Sequence, residues 1–376
     1  MRNTSPRFEK MQRIMAREEI DAIILMKPTN VFYITGFSLI SPSLPSATII
    51  SSNGETVLIV PKLEESRARE KSWIEDIRTY QPYPLSLREE TRKNFFEKIK
   101  EILKEKNLDS SMIGLELGYL PVKFFEALRN YIPDAGFKDI TNDIMMARMI
   151  KDYNEIDRIK KSLEISEKGL RTAIEIIEPG ISEIEIAAEI ENAIRKAGAQ
   201  KAGFETIVAS GPRSAQPNAT AGTRKINEND FIIINTSAVF GGYHSDITRT
   251  LFLGTPENEH KKMFETVKAA LKDAIERIAP GVRVGDIDKA ARKTIHDAGF
   301  ENYFVHASGH GIGLELHEPP KITLDCEDLL RPGMVLCIEP GIYIPKKGGV
   351  RIENMVLVTE EGYQVLNELP EDILPV

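Results

Sequence analysis

The 376-residue sequence has little of several features that mark well-known classes of protein. Its only two cysteines, Cys326 and Cys337, form no CxxC pair, which argues against a disulfide framework or a structural zinc site. No window approaches about 18 uninterrupted apolar residues, so we expect no membrane span. The first 19 residues lack the apolar stretch of a secretory signal, and we expect a cytoplasmic location.

The sequence also lacks an excess of positive charge. Its formal net charge is -8, which argues against nucleic acid as a main partner. Hydrophobic residues make up 41% of the chain, enough at this length for about two domains with their own cores.

The first 145 residues alternate helix and strand patterns, which predicts a mixed α/β domain over residues 1–145. A tight turn at Asn53-Gly54, with positive φ angles at both residues, is expected inside a hairpin. A second domain is predicted over residues 150–376, and its first helix should run from Glu155 to Ile177. The predicted elements before it are a helix at 7–19, a strand at 21–26, the hairpin at 46–61, a charged helix at 85–106 and a strand at 112–117.

The second domain contains an internal repeat. Residues 173–198 and 274–299 align without gaps at an offset of 101, and both copies have a Pro-Gly pair and a closing Ala-Gly. Each copy has the pattern of two helices joined by a turn, and Ser182 and Glu185 have the spacing of a capping box. An old duplication, with a site in the groove between two similar halves, explains this better than coincidence does.

Four residues of the second domain interrupt apolar segments: Asp246, His310, Glu339 and Glu353. A carboxylate buried alone between Val, Ile and Leu is unfavourable, so such acids need a partner such as a metal ion. Carboxylate oxygens with one imidazole suit Mn, Co, Fe or Zn. Each acid taken alone could be structural, but together the set points to a metal centre.

Residues 231–253 have the pattern of a hairpin that turns at Gly241-Gly242. A symmetric turn places Asn235 opposite Thr248, with Asp246 as its diagonal neighbour on the same face. Two metal ligands could stand there, but one of them is an amide.

Half of the six histidines, His306, His310 and His317, lie within twelve positions in a glycine-rich segment. A single histidine here would be unremarkable in a core, whereas three together favour a site. One could bind a metal as neutral imidazole, and the others could hold a substrate carbonyl or carboxylate.

These segments resemble the Xaa-Pro peptidases, which include prolidase and aminopeptidase P. NVFYITGF (30–37) is similar to the accessory domain of that family. Its metal-site segments are matched by GGYHSDITRT (241–250), HASGHGIGLELHEPP (306–320), IEPGIY (338–343) and VRIEN (350–354). The resemblance implies an N-terminal creatinase-like mixed α/β domain and a C-terminal pita-bread domain of pseudo-two-fold symmetry.

By this resemblance, Asp246 and Glu353 bridge two divalent ions, Mn or Co before Zn or Fe, while His310 and Glu339 complete the first shell. Glu339 accepts a proton in catalysis, and His306 and His317 are catalytic residues that also contact the substrate near the scissile bond. Arg351 binds substrate or orients Glu353, and Asn218 is a further substrate-binding position. The reaction removes the N-terminal residue from short Xaa-Pro peptides or dipeptides. The family also implies a homodimer.

Two positions depart from the family pattern. Asn235 stands where the family has a metal-binding aspartate, and Asn218 where it has a catalytic histidine. An amide is a neutral and weaker ligand, so one ion should bind firmly and the second weakly or not at all. The leading hypothesis is a metal-dependent Xaa-Pro peptidase, either with one metal ion or with a reduced rate. A creatinase-like hydrolase of another C–N bond and a catalytically silent peptide-binding relative remain as alternatives.

Overall fold

The computed structural model describes residues 6–40, 43–83 and 94–372. The chain divides into two compact units, an N-terminal unit up to Ala147 and a C-terminal unit from Arg148. Both combine helices with β-sheets, which confirms the predicted α/β class. Within the described residues, no helix has both the length and the apolar character needed to cross a membrane.

The N-terminal unit is built on a six-stranded mixed sheet. Its strands are β1 (Ala22–Leu25), β2 (Ala47–Ser51), β3 (Thr56–Pro61), β4 (Asp76–Tyr80), β5 (Met112–Leu115) and β6 (Gly136–Asp139). Their order is β4-β3-β2-β1-β5-β6, with β1, β2 and β3 antiparallel and the outer pairings parallel. The helices are α1 (Pro6–Glu18), α2 (Pro28–Thr35), α3 (Glu65–Lys71), α4 (Phe95–Glu105), α5 (Val122–Tyr131) and α6 (Thr141–Met149).

Helix α4 shows how the sequence pattern produces this packing. Ile99, Ile102 and Leu103 recur at helical spacing, are buried, and belong to one apolar cluster with Ile24 and Ile49 of the sheet. The predicted helix at 85–106 is found from Phe95 onward, and residues 84–93 lie outside the described part of the chain.

The predicted turn between β2 and β3 is present, but one detail of the prediction was wrong. Gly54 adopts a φ of +88°, whereas Asn53 does not have a positive φ. The Asn53 side chain instead accepts a hydrogen bond from the Glu55 backbone N–H, at 3.0 Å. An Asx-type turn therefore replaces the expected pair of left-handed residues.

The C-terminal unit contains four long helices and several small sheets. The helices are α7 (Tyr153–Ile176), α8 (Glu183–Lys196), α9 (Asn258–Ile275) and α10 (Val284–Asp297). The strands are β7 (Lys201–Ala202), β8 (Ile207–Ser210), β9 (Phe231–Thr236), β10 (Ala238–Phe240), β11 (Tyr243–His244), β12 (Ile247–Phe252), β13 (Gly309–Gly311), β14 (Glu318–Ile322), β15 (Val335–Ile338), β16 (Gly341–Ile344), β17 (Gly348–Arg351), β18 (Asn354–Val358) and β19 (Tyr363–Val365). They form sheets β12-β9-β8, β11-β10-β7, β14-β13-β15-β18-β19 and β16-β17.

The internal repeat is visible in the backbone. The first copy spans the end of α7 and α8, and the second spans the end of α9 and α10. The glycines of both Pro-Gly pairs are left-handed, with φ of +95° at Gly180 and +81° at Gly281. At the equivalent positions Ser182 and Arg283, each copy forms an isolated antiparallel bridge. Each copy is followed by an antiparallel triplet, β8-β9-β12 and β13-β15-β18, which supports the predicted pseudo-two-fold arrangement.

The helix starts follow from their caps. Ser182 and Glu185 form the predicted capping box at the start of α8. Helix α7 begins at Tyr153, two residues before the predicted start, because Asp152 caps it in a reciprocal pair with Glu155. The sheets of the C-terminal unit, held by these helices, carry the candidate site.

Candidate metal centre and active site

The hairpin of β9 and β12 brings Asn235 next to Asp246. Asn235 lies opposite Thr248 in the ladder, so the predicted register is confirmed. All six residues of β9 are buried, so the polar side chain of Asn235 lies inside the protein. The amide nitrogen Nδ2 of Asn235 lies 2.7 Å from Oδ1 of Asp246.

The sheet β13-β15-β18 supplies the other side of the site. His310 lies opposite Cys337, and Cys337 lies opposite Met355 on the next strand. Since side chains alternate faces along a strand, Glu339 and Glu353, each two residues from one of these positions, share that face.

The side chains converge on one small space. Asp246, His310, Cys337 and Glu353 are all buried, and each offers one ligand atom, all within 4.8 Å of one another. Glu339 joins this group from the side, with Oε1 3.8 Å from Nε2 of His310 and 21% of its side chain exposed. The four residues singled out in the sequence as metal ligands therefore meet, together with a cysteine.

The hydrogen bonding of His310 leaves one ring nitrogen open toward the acids. Its Nδ1 donates to the carbonyl oxygen of Gly311 at 2.9 Å, since a carbonyl can only accept. Burial lowers the pKa of His310, which keeps the ring neutral. Its Nε2 then presents a lone pair 4.0 Å from Oδ2 of Asp246, the arrangement of a metal-binding imidazole held by a backbone carbonyl.

The three acids of the site lack sufficient positive charge around them. Burial raises the pKa of Glu339 to about 7, and burial together with the charge of Glu339 raises the pKa of Glu353 to about 7. Burial and the two glutamates raise the pKa of Asp246 as well. Arg351 is the cation in this network, with Nε 4.0 Å from Oε2 of Glu339. Three carboxylates and one guanidinium leave a formal charge of -2, which one divalent ion would balance.

Asn235 fills the other end of the site. Its NH2 group donates to Asp246 Oδ1 and to the Ile247 carbonyl at 3.1 Å, and faces Glu353 Oε2 at 3.4 Å. Its Oδ1 accepts from Nη2 of Arg351 at 2.9 Å. This orientation is fixed, because carboxylates and carbonyls only accept and a guanidinium only donates. A hydrogen-bond donor thus points at the two carboxylates from that side.

Arg351 connects Asn235 to the rest of the site. Its Nε donates to Thr248 Oγ1 at 3.2 Å, and its Nη1 donates to the Pro217 carbonyl at 2.8 Å and to the Tyr343 hydroxyl at 3.2 Å. Thr248 in turn donates to Glu353 Oε2 at 2.7 Å. Every nitrogen of the guanidinium therefore has a partner inside the protein.

His306 ends a chain of hydrogen bonds that starts at Arg351. Its Nδ1 donates to the Ala307 carbonyl at 2.7 Å, so its Nε2 accepts from the Tyr343 hydroxyl at 2.9 Å. Burial lowers the pKa of His306 to about 4, so the ring is neutral near pH 7.

The two remaining candidates from the sequence are exposed. The ring of His317 packs at right angles against the His310 ring, with centroids 4.3 Å apart. Asn218 follows Pro217, the residue whose carbonyl accepts from Arg351. His317 thus lies beside the metal-ligand candidates, whereas Asn218 is connected to Arg351 through the backbone carbonyl of its neighbour Pro217.

Comparison with known proteins identifies the architecture around this site. Residues 157–360 match metallopeptidase family M24, and residues 7–150 match the creatinase/prolidase N-terminal domain. An Xaa-Pro dipeptidase of Pyrococcus furiosus is 38% identical over 98% of this chain and 99% of its own length. The chain belongs to the Xaa-Pro peptidases of family M24. It is accordingly a metal-dependent hydrolase, and its N-terminal creatinase-like and C-terminal pita-bread domains are those of the family.

Solved structures of other family members match almost the whole chain. The prolidase of Pyrococcus horikoshii superimposes with a TM-score of 0.87 at 36% identity, covering 98% of this chain and 100% of that one. The X-Pro aminopeptidase of Thermotoga maritima gives 0.88 at 32% identity, covering 98% and 99%. The fold is therefore shared by relatives named for dipeptides and by a relative named as an aminopeptidase.

The residues of this M24 site fit one divalent ion. The donor set has a neutral imidazole nitrogen, three carboxylates, and a buried Glu353 Oε1 that accepts no hydrogen bond within the described residues. Such an orphaned carboxylate oxygen is unfavourable unless a cation binds it. At the Asn235 end the NH2 hydrogens point at the carboxylates, an orientation that is unfavourable for a cation there.

Three residues of the M24 site were not singled out in the sequence. Thr248 and Tyr343 bind the acids and the arginine through hydroxyl groups. Cys337 was considered only for disulfides and CxxC pairs. Its position two residues before Glu339 in a strand, hence on the same face, was the signal that could have found it.

Proposed function

We propose that this chain is an exopeptidase that cleaves the peptide bond before proline and releases the N-terminal residue of Xaa-Pro dipeptides or short peptides. One observation carries the proposal: a buried cluster of acids beside a neutral imidazole, with one carboxylate oxygen left unpartnered. The dipeptidase and aminopeptidase names of the relatives support the peptide substrate.

In this proposal Asp246, His310, Glu339 and Glu353 hold one divalent ion, Mn or Co before Zn or Fe. Asn235 marks a second position that is weak or empty. When bound, the ion supplies Lewis acidity, which polarises the scissile carbonyl and lowers the pKa of water. The charge count of the site and the orientation of the Asn235 amide support one ion rather than two.

Glu339 takes the proton from the attacking water in this proposal. Its carboxylate is partly exposed, unlike those of Asp246 and Glu353, so substrate and water can reach it. A carboxylate whose pKa is raised toward 7 by burial accepts a proton more readily than an ordinary glutamate.

The substrate is held by neighbouring residues. His306 and His317 contact it near the scissile bond, and both rings can serve as neutral hydrogen-bonding groups. Arg351 binds substrate or, as its contacts favour, holds Asn235 and Tyr343 in position. Asn218 stands where relatives by resemblance have a histidine, so it can donate a hydrogen bond but cannot carry a proton to the reaction.

The remaining features are proposed from the family. Residues 1–145 form the creatinase-like accessory domain and residues 150–376 the catalytic domain, in a cytoplasmic homodimer. The family matches to residues 7–150 and 157–360 support this division. The partners are short proline-containing peptides, and neither nucleic acid nor membrane is needed.

The test is mass-spectrometric cleavage of Xaa-Pro dipeptides and longer Xaa-Pro peptides with added Mn²⁺ or Co²⁺. Matched samples contain EDTA. The proposal predicts cleavage before proline that EDTA abolishes, and cleavage that EDTA does not affect would overturn the metal dependence.

A catalytically silent peptide-binding relative is the second candidate, favoured by the amides at Asn218 and Asn235. It predicts peptide binding without turnover under any metal, in protein shown to be folded. A creatinase-like hydrolase of another C–N bond is disfavoured, because this chain keeps four metal-ligand candidates that such chemistry does not use.

A further inference from the structure

The thiol of Cys337 lies inside the candidate metal centre. Its Sγ is within 4.8 Å of one ligand atom each of Asp246, His310 and Glu353. The side chain is completely buried, so the thiol faces these groups and not solvent. Nothing in the proposed peptidase chemistry uses it.

The strand register holds the thiol in this position. Cys337 is paired with His310 on one neighbouring strand and with Met355 on the other. Paired residues in antiparallel strands point their side chains to the same face, so the thiol and the imidazole project together. The thiol cannot turn away without disrupting a fully buried strand.

A second observation points to a ligand between these groups. Oε1 of Glu353 is buried, with the residue 1% exposed, and accepts no hydrogen bond among the described residues. The other oxygen of the same carboxylate is well supplied by Thr248 and Asn235. The Cys337 thiol is the neighbouring S–H donor to this carboxylate, and an S–H group is a weak donor. A cation bound by both the carboxylate oxygen and the sulfur would satisfy them better.

We infer that Cys337 is a further direct ligand of the divalent ion, beside Asp246, His310, Glu339 and Glu353. This inference rests on the proposed metal centre and names the class of ion it prefers. On coordination the sulfur–metal bond forms and the thiol proton is released to solvent. The family resemblance alone implies Mn or Co before Zn or Fe. A soft sulfur ligand changes this order, toward thiophilic ions such as Co²⁺, Zn²⁺ and Cd²⁺ and away from Mn²⁺ and Mg²⁺.

The test is the absorption spectrum of the full-length protein loaded with Co²⁺. A cobalt–thiolate bond gives a charge-transfer band in the near ultraviolet, in addition to the visible bands of cobalt held by oxygen and nitrogen. The band is expected in the wild-type protein and in Cys326→Ser, which removes the other cysteine. It is expected to be absent from Cys337→Ser, even where the visible bands show that cobalt is still bound.

Each outcome decides the inference. Visible cobalt bands without the charge-transfer band in the wild-type protein would overturn the cysteine ligand but leave the metal centre intact. No bound cobalt at all would overturn the metal centre and the inference with it. The wild-type spectrum answers the question even if Cys337→Ser fails to fold, and Cys337→Thr offers a second replacement with a hydroxyl.

Metal preference gives an independent readout. The ratio of Cd²⁺ affinity to Mn²⁺ affinity, measured by competition with a chelating dye, is expected to fall in Cys337→Ser. Loss of an outer-shell partner already costs about 10- to 100-fold in metal affinity, so loss of a sulfur ligand should lower this ratio on the order of 100-fold. An unchanged ratio would contradict coordination by sulfur.

Discussion

The two ends of the candidate site present the same two carboxylates to very different surroundings. On the His310 side, Asp246 faces a neutral imidazole and Glu353 has an oxygen without a hydrogen bond. On the Asn235 side, the other oxygens of Asp246 and Glu353 meet an NH2 group, and Glu353 also receives the hydroxyl of Thr248.

The difference is the basis of the proposal that the residue at position 235 decides how many ions the site holds. An aspartate at position 235 would add a negative charge and two acceptors, whereas the amide brings hydrogen atoms that already satisfy the carboxylates. Arg351 holds the amide oxygen and so fixes its orientation. In the proposed one-ion site, the His310 end takes the cation, and at the other end hydrogen-bond donors of the protein meet the carboxylates.

Removal of His310 should have the largest effect. His310→Ala deletes the only nitrogen donor of the cluster, and affinity for Co²⁺ should fall by more than about 100-fold, with loss of cleavage. Equilibrium dialysis followed by metal analysis measures this affinity. The exposed His296 on α10 provides the control, and His296→Ala should bind as the wild type does. Equal affinity in His310→Ala would place the ion elsewhere.

Conversion of the Asn235 side should have the next largest effect. Asn235→Asp with Asn218→His restores a carboxylate and an imidazole at the two positions that depart from the family pattern. The number of bound ions should then rise from one to two per chain. Turnover of Xaa-Pro peptides should rise on the order of 100-fold, the usual contribution of one such catalytic donor. An ion count that stays at one would show that Arg351 and Thr248, not the amide, close this side.

Much of this comparison was predictable from the sequence because it depends on strand periodicity. The hairpin register that joins Asn235 to Asp246 follows from the turn at Gly241-Gly242, and the acids stand out because apolar residues surround them. The orientation of the Asn235 amide was not predictable. It is set by the hydrogen bond from Arg351 to the amide oxygen, which turns the NH2 group toward the carboxylates.

Other features escaped the sequence because they depend on contacts across strands. Cys337 joins the cluster through its pairing with His310. Its position two residues before Glu339 indicates a shared strand face, but that spacing alone does not place it beside His310. The cap at Asp152, which starts α7 before Glu155, was a local signal and could have been found. The turn at Asn53 was misjudged because an asparagine side chain can replace a left-handed backbone by a hydrogen bond.

Acid should lower the stability of the folded chain through His306, which is linked to Asn235 by Tyr343 and Arg351. Burial lowers the pKa of His306 from 6.5 to about 4. Between these two pH values the unfolded chain therefore binds more protons than the folded chain. Stability is therefore present near pH 7 and lost as the pH falls toward 4. Glutamine does not titrate. From pH 7 to pH 4.5 the free energy of unfolding should therefore fall by about 2 kcal/mol less in His306→Gln than in the wild type. Urea unfolding at both pH values measures this.

The matched control for this prediction is His296→Gln, which removes an exposed histidine of α10. If His306→Gln lost the same amount as this control, His306 would be accessible to protons in the folded protein. The hydrogen bond from the Tyr343 hydroxyl to His306 would then not help to hold Arg351 and Asn235 in place.

Removal of one hydroxyl should have the smallest effect. Tyr343→Phe breaks the link between Arg351 and His306, and should lower the unfolding free energy by about 1 kcal/mol. Asn235 keeps its hydrogen bond from Arg351, so the number of bound ions should stay at one. A loss of bound metal in Tyr343→Phe would mean that the two sides of the site are not independent.

The most direct test of a one-ion site is peptide cleavage measured during a titration of metal-free protein with Co²⁺. A dipeptide ending in proline serves as substrate, and the protein concentration is kept well above the dissociation constant. We predict that activity rises linearly and reaches its plateau at one ion per chain. A plateau at two ions per chain, or activity that does not depend on cobalt, would contradict this account.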